Sequence, residues 1–71
     1  MDRQELERLG NELRDLGHQR RELAERILTE VKEGDNRSSK QLYQELSTIS
    51  EKAIQLMTRQ KEMFDNEVRH M

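Results

Sequence analysis

The chain has 71 residues, 31% hydrophobic and 39% charged, with no cysteine, no proline and a formal charge of −2. That length allows one small domain whose core is marginal unless something adds to it, and the lack of cysteine rules out disulfides and thiolate metal sites. The 13 basic and 15 acidic residues are interleaved and apolar runs stop at two residues, which leaves no strong field toward nucleic acid, no membrane span and no signal-peptide core.

Helix 1 is predicted over about residues 2–33. Strong helix formers fill it, and Leu6, Leu9, Leu13, Leu16, Leu23 and Ile27 step by three and four, with Arg20 as the one polar intruder. Gly34 ends it as a C-terminal cap, inside GDNRSS, the only cluster of turn-forming residues in the chain. The turn is placed at about 34–38. Asp35, Asn36 and Ser38 are all candidate N-caps for the next helix, and Ser38 followed by Gln41 fits a capping box.

Helix 2 is predicted to begin near Asn36 to Ser38 and to run over about 38–68. Leu42, Leu46, Ile49, Ala53, Leu56 and Met63 repeat the three-four spacing, with Gln60 as the polar intruder. Such spacing sustained over four heptads is the signature of coiled-coil packing, and the short connection makes the helices antiparallel neighbours. The predicted fold is all-α: an antiparallel two-helix coiled-coil hairpin, assembling into a four-helix bundle.

Two registers suit the loop, with paired residue numbers adding to 69 or to 76. The first layers Leu6 on Met63, Leu13 on Leu56, Leu16 on Ala53, Leu23 on Leu46 and Ile27 on Leu42, with Arg20 on Ile49. At the flanking g positions it sets Glu12 against Arg59 and Arg26 against Glu45. The second sets Arg26 against Lys52 and Glu33 against Glu45, two like-charge pairs. Exposed pairs are individually weak, but these signs agree in favour of the first register.

In that heptad the e positions of helix 1 are Gly10, Gly17, Ala24 and Val31, all small or medium-sized. Those of helix 2 are Tyr43, Ser50, Met57, Phe64 and Met71, mostly large. Antiparallel coiled coils bring e beside e, so both stripes lie on one side of the hairpin, extended by Leu28, Ile54 and Val68. Apolar surface beyond the seam has no partner within two helices, and a contiguous patch of this kind marks an association site. Glycine in a helix costs about 1 kcal/mol relative to alanine. The reading preferred for Gly10 and Gly17 is therefore that they form grooves for large side chains such as Met57 and Phe64 in a docked bundle; the competing one is that they loosen a frayed N-terminal half.

Other features carry less. Arg20 is read as laying its methylenes along the seam with its guanidinium in water. His18 and Glu22 have metal-sharing spacing, yet two ligands on an exposed helix do not make a site. No phosphate loop, metalloprotease motif or activated nucleophile is present, so no enzyme, metal or cofactor is expected.

The expected function is therefore a non-catalytic protein–protein interaction module in the cytoplasm, acting as a regulator or assembly factor. It associates with itself as a homodimer or with an apolar helix of another protein. An alternative is a secretion-type chaperone or an obligate subunit of a hetero-complex, for which Met57 and Met71 offer adaptable surface. A second alternative is an RNA-binding helical bundle of the ROP-like plasmid-regulator layout, with Arg14 and Arg21 seven apart on helix 1. Asp15, Glu22 and Glu25 interleave with those arginines and only two aromatics exist, which counts against it.

Overall fold

The computed structural model describes residues 2–70 and contains two helices, α1 (Arg3–Lys32) and α2 (Asn36–Arg69), packed against each other. Each boundary has a local cause. The Asp2 carboxylate accepts the Glu5 N–H at 3.1 Å, satisfying a first-turn donor that has no intrahelical partner. At the other end Gly34 takes φ +79°, a left-handed backbone that a Cβ would oppose. The Gly34 N–H donates to Val31 at 3.1 Å and the Asp35 N–H donates to Glu30 at 2.9 Å. These two bonds are a Schellman closure, and they turn the chain back at once.

Asp35 then starts the second helix. Its amide closes α1 while its carboxylate accepts the Ser38 N–H at 3.0 Å, and its carbonyl accepts the Ser39 hydroxyl at 2.8 Å. That settles the choice among the three cap candidates and corrects the expected capping box: Ser38 lies inside α2 and is not its cap, so its pairing with Gln41 has no capping role. The helix accordingly starts at Asn36, the first residue of the expected 36–38 start. The backbone N–H of Ser38, and then its hydroxyl, hold the Asp35 carboxyl below the usual carboxylate range.

The seam is a single layer of side chains. Leu9, Leu16, Leu23, Leu42 and Ala53 are buried, while Leu6, Leu13, Ile27, Leu46, Ile49, Leu56 and Met63 are half-buried. Among the described residues only Leu9 is closed off completely from solvent. On α1 the buried leucines are the d residues; the a residues lie toward open sides. Two helices can enclose one row of side chains but not two, because nothing caps the seam from above or below. The hairpin is consequently a rod of 54 × 16 × 13 Å.

Contacts across the seam place α1 and α2 in the register whose paired numbers add to about 69. Arg20 Nε donates to the Ser50 hydroxyl at 2.9 Å. Grooves between the helices bring Arg26 beside Glu45, Gln19 beside Lys52, and Glu5 beside Asn66.

Candidate interaction surface

The two sides of the seam differ in chemistry. On the g side Arg59 Nε donates to Glu5 at 2.6 Å, and a terminal nitrogen of the same guanidinium bonds that carboxylate oxygen. Glu12, the partner expected for Arg59, is instead bonded by Arg8 at 2.6 Å along its own helix. The expected flank is correct and the partner is displaced by one heptad. Arg59 is long enough to reach up or down the rod, and the neighbouring Arg8 competes for Glu12.

The e side is apolar and open. Leu28, Val31, Tyr43, Ile54, Met57, Phe64 and Val68 are all exposed, from 44% for Phe64 to 65% for Val68. Heptad geometry places them on one flank, at e positions or the adjacent b positions. On the same flank Gly17 and Ala24 are exposed and Gly10 is half-buried. Met71, assigned to this stripe from the sequence, lies outside the described residues.

Neither helical glycine is required by the hairpin itself. A Cβ built at Gly10 or at Gly17 would meet nothing within 4 Å, and both sites have ordinary helical backbone. This separates them from Gly34, whose left-handed φ requires a glycine. The helix-propensity cost of Gly10 and Gly17 is not offset by any contact inside a single hairpin.

Arg20 is exposed and turned onto this flank, where it donates to Ser50. Its side chain therefore reaches across from α1 to α2, and its charged end sits between the apolar residues near the turn and those near the termini. Sequence reading anticipated the solvated guanidinium but not Ser50. The available signal was that Ser50 follows Ile49, the residue layered against Arg20. Lys61 borders the same flank and donates to Asp65 at 2.6 Å; the hydrogen bond, and then the charge of Asp65, raise its pKa.

Surface depressions elsewhere are open grooves. One lies along α2 among Gln41, Gln44, Glu45, Thr48 and Ile49, away from the apolar flank, and it is too open to shield a substrate from water. Among the described residues no group of three or more His, Cys, Asp or Glu side chains is placed to hold a metal ion, and no helix is long and apolar enough to cross a membrane. No protein-family model, curated protein or solved structure matches the chain.

Proposed function

We propose that the protein is a non-catalytic protein–protein interaction module of the cytoplasm, a helical hairpin that works as a small regulator or assembly factor by associating through its e flank. The observation that carries this reading is the one-sided exposure of Leu28, Val31, Tyr43, Ile54, Met57, Phe64 and Val68 beside a seam that, among the described residues, fully encloses only Leu9. Burying such side chains is worth roughly 1.5–3 kcal/mol each. For a chain with so small an internal core, association is the main source of further stability.

Self-association into a four-helix bundle is the preferred form of this reading, because one docking event covers the flank of both copies. Light scattering of the purified chain over a range of concentrations tests it. A stable dimer is expected. A poorly folded monomer would mean that the flank is completed by a helix of a different protein, as in a chaperone or an obligate hetero-complex.

A further inference from the structure

We infer that the occupant of the e flank is a second copy of this chain, docked so that α1 of each copy lies against α2 of the other and both turns emerge at the same end of the bundle. This rests on the association reading above and adds its geometry.

Area supports a partner of this size. The hairpin exposes 5944 Å², whereas a compact protein of its mass exposes roughly 4,700 Å². Its radius of gyration is 16.2 Å, against about 11 Å for a compact chain of this length. The surplus of roughly 1,200 Å² per chain exceeds the ~800 Å² per partner of a standard stable interface. A second rod of equal length, laid along the flank, makes contact over the whole 54 Å of the hairpin.

Charge and shape then choose between the two closed two-fold arrangements in which every helix has antiparallel neighbours. If the axis runs across the helices, the turns lie at opposite ends and α1 packs on the partner's α1. Arg14 then falls beside the partner's Arg21, and Arg21 beside the partner's Arg14. Gly17 then faces its own counterpart, Gly10 faces the partner's Ala24, and Leu28 faces the partner's Glu7, which sets small residues on small ones and an apolar side chain on a carboxylate.

If the axis runs along the helices, each α1 packs on the partner's α2. A two-fold rotation carries no translation, so both hairpins sit at the same height, and facing residues have numbers that add to about 70. Glu7 then lies beside the partner's Lys61, twice per dimer. Gly17 faces the partner's Ile54, and Leu28 faces the partner's Tyr43. The glycine that has open space within its own hairpin receives a large side chain, and like charges are kept apart.

A distance measurement separates the two. The chain has no cysteine, so Arg37→Cys beside the turn gives a single spin-label site on exposed helix. In the dimer the label-to-label distance is expected below about 30 Å, the width of a four-helix bundle plus two label arms. A distance near the rod length of 54 Å would overturn the shared-end geometry while leaving self-association intact. A chain that stays monomeric in light scattering would overturn both.

A charge cycle gives an independent check. Glu7→Lys is expected to weaken dimerisation by roughly three- to tenfold, since two pairs change from attraction to repulsion. Adding Lys61→Glu to it is expected to recover most of that loss. Lys61→Glu alone also removes the Asp65 bond, so it is the recovery in the double variant that reports the contact. No recovery would contradict the geometry.

Discussion

The g and e flanks of this hairpin are built from the same heptads and end up in opposite states. The g flank carries complementary charges on the two helices, and the chain bridges it internally through one ion pair, Arg59 to Glu5. The e flank pairs small residues on α1 with large ones on α2, and the hairpin leaves it exposed. The difference shows that an antiparallel pair can finish an electrostatic flank by itself, because long charged side chains reach across a seam. It cannot finish an apolar flank, which needs surface laid on top of it.

The largest expected effect comes from the seam that both flanks share. Leu9→Ala removes a fully enclosed side chain and is expected to cost about 2–4 kcal/mol, read as a large fall in midpoint by thermal circular dichroism. A loss below 1 kcal/mol would mean that Leu9 is not the anchor of the seam. Gly34→Ala comes next, at about 1–2 kcal/mol, because alanine opposes φ +79°. A stable Gly34→Ala hairpin would mean that the turn closes in another way.

The comparison of flanks is sharpened by the double variant Gly10→Ala/Gly17→Ala. With nothing near either added Cβ in the lone hairpin, helix propensity alone favours the variant by roughly 1 kcal/mol per site. If the glycines serve a docked partner, association is expected to weaken while helicity holds. Rising helicity with association unchanged or improved would instead make them mere loosening elements.

Much of this was legible in the sequence, and the exceptions have a common cause. The leucine spacing identifies the seam from Leu6 to Met63, and Gly34 identifies the break, because burial and backbone sterics act on fixed positions. The partner of Arg59 was not legible: g-flank side chains are flexible, exposed and able to choose between carboxylates a heptad apart. The cap of α2 was not legible either, since Asp35, Asn36 and Ser38 all have suitable side chains. The choice is made by the closure of α1, which uses the Asp35 amide and leaves its carboxylate aimed at Ser38.

The cap also sets a pH dependence. The Asp35 carboxyl is held below its usual value by the folded helix start, so the stabilisation it gives is present above the unfolded carboxylate pKa. It is lost as the pH falls through the lower folded value. Asp35→Asn is expected to flatten that acid limb in denaturation followed from neutral to acid pH; an unchanged limb would assign the acid sensitivity to other carboxylates.

The smallest effect is expected on the flank the hairpin completes for itself. Glu5→Gln removes the cross-seam ion pair with Arg59 and is expected to cost at most about 1 kcal/mol, less at high salt. It should leave association unaltered. A dissociated dimer from Glu5→Gln would mean that the g flank, not the e flank, holds the copies together.

Sedimentation equilibrium of the wild-type chain beside Met57→Glu tests the central claim most directly. Met57 is exposed on the e flank, outside the a and d positions of the seam, so its replacement removes no seam residue and places a charge in the proposed contact. The expected result is a wild-type dimer and a Met57→Glu monomer at the same concentration. A folded wild-type monomer at the highest concentration, or a Met57→Glu chain that dimerises as tightly as wild type, would contradict the assignment of this flank as the association surface.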